Sequence, residues 1–408
     1  MAIRIRPTRS QAEFADALGA IQHYFGGGWF ETPEELDSFA RLLPFERLHA
    51  AFDGRAIVGG AGAFPFELSI PGAQVPCAGV TVVGVLPTHR RRGILARMMR
   101  AQLADIRERG EPIAALWASE ETIYGRFGYG MAAQDAMVKA TRIHAAMHRE
   151  LPGRTGTTRL VDHDEAAKVF PRIYDRVRRQ SPGFVSRTPA WWEFRKLEDR
   201  PDHRRGAGEL NRLLLEIDGR PAGYALYRIK LEFDEPHNAS AVRVIEAHGV
   251  TPEAIRELWR YLLGIDWVAE IHCAYLSVDH PLFLLVERPN RLHWRVVDGL
   301  WLRLVDVGAA LSARVVANDG RVTFDVSADP IFADNVGTWT VEDGVAKRSR
   351  RRADVRLDVQ ALASAYLGGF TFAELARAGR VAEVARGGIA RADGLYRVDV
   401  KPWCPENF

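Results

Sequence analysis

Arg90-Arg91-Arg92-Gly93 are the residues of this chain best suited to hold an anion. What flanks them decides whether they do. Val80, Val82, Val83 and Val85 form a β-branched run that reads as a buried strand. Pro87 has no N–H to donate and ends the ladder. Leu95, Met98, Met99, Leu103 and Ile106 then repeat at helical spacing, and Gly110 follows Arg107 and Arg109 at the helix end. A strand entering a helix through such a loop offers a phosphate first-turn N–H groups, the positive dipole end and guanidinium groups. Gly93 also removes the Cβ that would hold a phosphate off the backbone. An arginine run elsewhere reads as a solvated turn; with this strand before it and this helix after it, it reads as an anion site.

The loop resembles the pyrophosphate loop of the GNAT acetyltransferases, whose pattern is Gln/Arg-x-x-Gly-x-Gly/Ala. Arg90 to Leu95 depart from it only at Leu95, where the family carries a small residue. The resemblance implies acetyl-CoA as cosubstrate. It assigns the coenzyme pyrophosphate to Arg90, Arg91, Gly93 and Ile94, and the pantetheine arm to the strand at Val83 and Val85.

Downstream, Ile113 to Trp117 reads as another short buried strand, followed by Ser119 to Gly130. Tyr124, then Gly128 four residues on, then Tyr129, resembles the GNAT Tyr-x-x-x-Gly-Phe/Tyr element. The resemblance puts Tyr124 beside the coenzyme sulfur, where its O–H can protonate the departing thiolate. It also places Ser119 among the cofactor-binding residues.

At 408 residues the chain exceeds one ordinary core and implies about two or three domains. Hydrophobic and charged contents of 47% and 26% are those of a globular protein. A net charge of +3 gives no electrostatic reason to propose nucleic acid or a membrane surface as partner. The first residues, MAIRIRPTRS, lack an apolar core for a secretory signal, and no run of about 18 apolar residues occurs. Cys77, Cys273 and Cys404 share no metal-ligand spacing and cannot all pair. A cytoplasmic protein without a metal is the expectation.

Taken in order, Phe14, Leu18, Ile21 and Phe25 make one helical stripe behind a Ser10 cap, closed by Gly26-Gly27-Gly28. Thr32-Pro33-Glu34-Glu35 opens a second helix. In the GNAT fold these helices flank the substrate cleft, so Glu31, Glu34, Glu35 and Asp37 either meet a cationic substrate or simply favour a helix start. Leu48 to Ala63 reads as a hairpin about Asp53-Gly54. From about residue 146 the pattern repeats: Ile217 to Ala225 echoes Phe52 to Gly60, and Thr251-Pro252 opens a helix through Leu263, but no Arg-Arg-Arg-Gly loop stands between. The last hundred residues read as strands (Trp301 to Val307, Arg321 to Val326, Thr338 to Val341, Asp354 to Leu357) followed by short helices. That order suggests an α+β domain resembling the sterol-carrier type. Lys347 to Arg352, the strongest charge run, reads as a solvated hairpin edge.

The sequence as a whole resembles the Eis (enhanced intracellular survival) acetyltransferases. The fold expected is α/β and α+β multidomain: a catalytic GNAT domain over residues 1–145, a degenerate second GNAT domain over 146–298, and a sterol-carrier-like domain over 299–408. The resemblance implies acetylation of aminoglycoside and polyamine amines, at several positions, by a homohexamer. It also assigns a base. Lys401 to Phe408 is aromatic and stiffened by Pro402 and Pro405, unlike a frayed tail, and in Eis proteins the terminal phenylalanine's α-carboxylate reaches the active site. The catalytic residues expected are therefore Phe408, whose carboxylate takes the amine proton, and Tyr124. Two other readings stay open: a protein-lysine acetyltransferase, and a non-catalytic sensor binding CoA and a lipid.

Overall fold

The computed structural model describes residues 3–23, 26, 32–149, 153, 155–234 and 237–408. Phe25, Gly27, Gly28 and Glu31 lie outside the described residues. The chain divides into two compact units, Met1–Ala133 with Leu300–Asp399 and Glu406–Phe408, and Gln134–Gly299 with Val400–Pro405.

In the first unit Ser10 caps α1 (Gln11–Gln22) by accepting from Glu13 N–H. Thr32 and Glu35 close a capping box on α2 (Pro33–Leu42). Strands β1 (Arg4–Pro7), β2 (Leu48–Asp53), β3 (Ala56–Ile70) and β4 (Ala73–Val85) form an antiparallel run. Helix α3 (Ile94–Glu108) crosses over to β5 (Ile113–Trp117), which lies parallel to β4. The strand Leu300–Leu304 pairs antiparallel with β5 and with β6 (Gly130–Met131), completing a seven-stranded sheet. Leu300, Leu302 and Leu304 are fully buried in this sheet.

Helix α3 buries Ile94, Met98, Met99, Leu103 and Ile106 as its spacing requires, and also Gln102. On the other side α1 lies close against the strands because Gly60 has no Cβ; one there would stand 2.7 Å from Ile21 Cδ1.

A second sheet, in the other unit, runs in the order Arg295–Asp298, Gln134–Thr141, Glu270–Ser277, Ala241–Gly249, Arg220–Lys230, Asn211–Ile217, Thr157–Leu160. The helix Pro252–Leu263 buries Leu258, Trp259, Leu262 and Leu263. Within the first unit, a five-stranded sheet (Val345–Arg348, Gly337–Glu342, Arg321–Val326, Val355–Leu357, Val381–Glu383) carries the helices Val359–Tyr366, Phe372–Arg377 and Gly388–Tyr396. Lys347 and Arg348 lie on its edge strand, where Arg348 stacks 4.3 Å over Trp339 and Arg351 pairs with Glu342 at 3.8 Å. Among the described residues no helix is long and apolar enough to cross a membrane.

Candidate active site

The site begins where two parallel strands part. β4 and β5 pair only at Cys77↔Ile113, Ala78↔Ala114 and Gly79↔Ala115. Beyond Gly79, β4 stays paired with β3 while β5 stays paired with Leu300–Leu304, so the two diverge. Leu86 N–H donates to Val58 O at 2.8 Å, and Gly84 pairs with Gly60. Alternation along a strand therefore turns the N–H groups of Val83 and Val85 away from β3, into the opening. A bulge precedes them. The register shifts between Gly60 and Gly62, and Val82 takes φ +46, a left-handed conformation costly for a β-branched residue. Gln102 supports it, its Nε2 donating to Ala61 O (3.0 Å) and Gly62 O (2.9 Å). A buried amide in an otherwise apolar helical stripe was the one sequence signal for this support.

The loop after β4 turns through Pro87–His89 and reaches Arg91 at φ +60 and Gly93 at φ +73. Gly93 is the N-cap of α3 and supplies no side-chain cap; the first intrahelical bond is Arg97 N–H to Gly93 O, 3.2 Å. The helix start is left to an outside acceptor. A Cβ on Gly93 would meet nothing within 4 Å, so the glycine serves the left-handed turn while the space beside it stays open. Arg90, Arg91 and Arg92 are exposed. Arg92 Nη1 stands 3.6 Å from Asp53 Oδ2, and His89 Nε2 stands 3.4 Å from the same oxygen. Loop and hairpin are thus tied together on the side of Arg92.

Tyr124 ends the helical turn Glu121–Tyr124, with its side chain largely buried and its ring 6.0 Å from that of Tyr129. Tyr129 N–H donates to Tyr124 O at 3.3 Å, and Gly128 makes the turn at φ +84. Burial pushes the Tyr129 hydroxyl well above the usual phenol range. Gly130 allows a close approach: a Cβ there would fall 2.1 Å from Gln360 O on the helix Val359–Tyr366. Ser119 sits on the exposed bend just past β5.

Phe408 comes to this fork. Its ring lies 5.0 Å from Phe66 and 6.4 Å from Phe64, both edge-to-face. A Cβ on Gly79, the last residue of β4 paired with β5, would stand 3.2 Å from Phe408 Cε2. Phe39 of α2 extends the aromatic group, 5.8 Å from Phe64. Phe64 and Phe66 share one face of β3 by alternation, a signal present in the sequence but without a partner until the fold supplies Phe408. The acids of α2 turn to helix work: Glu35 closes the capping box, and Asp37 accepts from Gln11 Nε2. Glu34 is exposed in the first turn.

These residues fit coenzyme A. An edge of unshared strand N–H groups, an uncapped helix start and open space at Gly93 match an amide-bearing arm ending in a pyrophosphate. Comparison with known proteins agrees. Residues 4–132 match an acetyltransferase (GNAT) domain family, residues 183–315 a second family of that description, and residues 307–405 the sterol carrier protein domain. An uncharacterized N-acetyltransferase of Streptomyces avermitilis is 37% identical over 392 residues, 94% of each chain. N-acetyltransferase Eis of Mycobacterium tuberculosis is 34% identical over 385 residues, 91% of this chain and 92% of its own. Eis1 from Mycobacterium abscessus, a crystal structure, matches with a TM-score of 0.85 at 34% identity over 100% of both chains. A GCN5-related N-acetyltransferase from Anabaena variabilis, 19% identical, shares the fold at a TM-score of 0.85.

Tandem GNAT domains followed by a sterol-carrier domain define an N-acetyltransferase of the class that draws its acetyl group from acetyl-CoA. Within that class, the chain belongs to the Eis family.

Proposed function

We propose that the chain acetylates primary amines of aminoglycosides and related polyamines, at more than one position of a substrate, by direct transfer at the fork between β4 and β5. The observation that carries this reading is the seat of Phe408 against Phe66 and Gly79, which brings the last residue to the point where the strands part.

Bound there, acetyl-CoA supplies an acetyl thioester. The loop from Arg90 to Ile94 binds its pyrophosphate through helix-start N–H groups and guanidinium charge. The N–H groups of Val83 and Val85 orient the arm and donate to carbonyl oxygen as negative charge builds on it. A substrate amine arrives as an alkylammonium with a pKa of about 10 and must lose a proton before its lone pair can attack. The Phe408 α-carboxylate holds that cation and takes the proton. Tyr124 Oη gives a proton to the leaving sulfur. Cys77, on β4, is fully buried, which favours direct transfer over a thiol-bound acetyl group.

All three cysteines are free and buried, in keeping with a reducing cytoplasm. Assembly as a homohexamer is carried over from the Eis resemblance; light scattering should then give a mass of six chains.

Free-thiol release from acetyl-CoA against aminoglycosides, polyamines and lysine peptides tests the function. Fast release with polyamino compounds, and more than one acetyl group per aminoglycoside by mass spectrometry, is expected. Release with lysine peptides alone would overturn the substrate class. Appending one alanine after Phe408 should abolish turnover and spare acetyl-CoA binding; an extended protein of wild-type activity would remove the carboxylate from the mechanism.

A further inference from the structure

We propose that Trp117 is a positioning residue that latches the end of the chain and so fixes Phe408 at the fork. The inference rests on the role given above to the Phe408 carboxylate. Trp117 is the last residue of β5, beyond its final pairing with β4 at Ala115. Its indole N–H donates to Glu406 O at 2.5 Å. An indole has one donor and no acceptor, so this bond uses the whole polar capacity of the side chain. Glu406 is buried and Asn407 exposed, and two residues past the latch the Phe408 ring is seated against Phe66.

A chain end held by a single aromatic ring keeps rotational freedom about every bond between ring and carboxylate. Two anchors two residues apart remove most of it: the Glu406 carbonyl on the indole of β5, and the Phe408 ring between Phe64, Phe66 and Gly79 of β3 and β4. The anchors sit on the two sides of the fork, so the carboxylate is set with respect to the strands that diverge there. Proton transfer is steeply sensitive to such placement.

The test is a double-mutant cycle in the full-length enzyme, read as kcat, KM for the amine, KM for acetyl-CoA and thermal midpoint. Trp117→Phe keeps the ring and removes the donor; kcat should fall about tenfold with KM for acetyl-CoA unchanged. Appending one alanine after Phe408, which displaces the carboxylate, should cost more, and the double variant with Trp117→Phe should be no worse than the extended chain, because both changes act through one group. Trp117→His, which keeps a ring N–H, should recover part of the loss. Multiplying effects in the double variant, a Trp117→His protein no better than Trp117→Phe, or a parallel rise in KM for acetyl-CoA would overturn the latch. If Trp117→Phe does not fold, comparing Trp117→His with wild type decides the same question through the kcat-against-KM split. Should the alanine-extended chain keep full activity, the carboxylate mechanism fails instead, a result separate from a silent Trp117→Phe beside an inactive extended chain.

Discussion

The chain contains two forks built alike and finished differently. In the first, β4 and β5 pair over three residues and part; in the second, Ala241–Gly249 and Glu270–Ser277 pair in parallel from Ala241↔Glu270 to Val244↔Cys273. Each leads into a helix. The first helix begins at Gly93 with no side-chain cap and open space around it. The second begins at Thr251, whose Oγ1 takes the Ala254 N–H at 3.2 Å, and Pro252 at its first position has no N–H to offer. A Cβ on Gly249 would stand 2.5 Å from Ile255 N, so strand and helix are already packed together. A depression of about 920 Å³ beside that helix start is lined by Asp218 and Glu253 as well as Arg176 and Arg220. The same strand and helix suit an anion only when the helix start is left unsatisfied and positive charge prevails around it.

Grafting the second ending onto the first should therefore have the largest effect. Gly93→Thr with Ile94→Pro removes a donor and fills the cradle, and KM for acetyl-CoA should rise about a hundredfold by steady-state kinetics. Next comes charge: Arg90→Ala with Arg91→Gly, the glycine suiting φ +60, should raise KM for acetyl-CoA about tenfold and flatten its dependence on ionic strength.

A third prediction concerns the second unit, where Asp135 is the second residue of the strand Gln134–Thr141 and the Cys404 N–H faces it. Burial, reinforced by Asp298, pushes its carboxyl up to about 8, with the Cys404 N–H pulling the other way. The folded carboxyl then holds a proton that the unfolded one has lost above its ordinary range near 4, so folding stability should decline as pH rises across that window and level off above about 8. The slope is at most about 1.4 kcal/mol per pH unit, and Asp135→Asn should flatten it in thermal melts without moving KM for acetyl-CoA. The smallest effect is expected from Thr251→Val, which should cost about 1 kcal/mol in chemical denaturation and leave acetyl-CoA kinetics unchanged. A loss of acetyl-CoA affinity in that variant would break the contrast between the forks.

What the sequence disclosed was local. The valine run, the Arg90–Gly93 loop, the α3 stripe and the caps at Ser10 and Thr32 each lie within a few residues and show in periodicity or capping chemistry. Long-range pairing leaves no such trace. Leu300–Leu304 looks like any apolar strand, and nothing within it says that its partner is β5. Gln134–Thr141 pairs with Glu270–Ser277 and Arg295–Asp298, more than a hundred positions away in the chain. The Phe408 seat is made by Phe66 and Gly79, more than three hundred positions earlier in the chain, and only the fold brings them together. The role of Phe408 entered through family resemblance, whereas its seat is a matter of packing.

The most direct test of the account is a calorimetric titration of acetyl-CoA into the wild-type chain. One molecule bound per chain, lost on grafting Thr and Pro onto positions 93 and 94, is the predicted result. Two molecules per chain, or undiminished binding in the graft, would contradict the claim that the first fork alone holds the coenzyme.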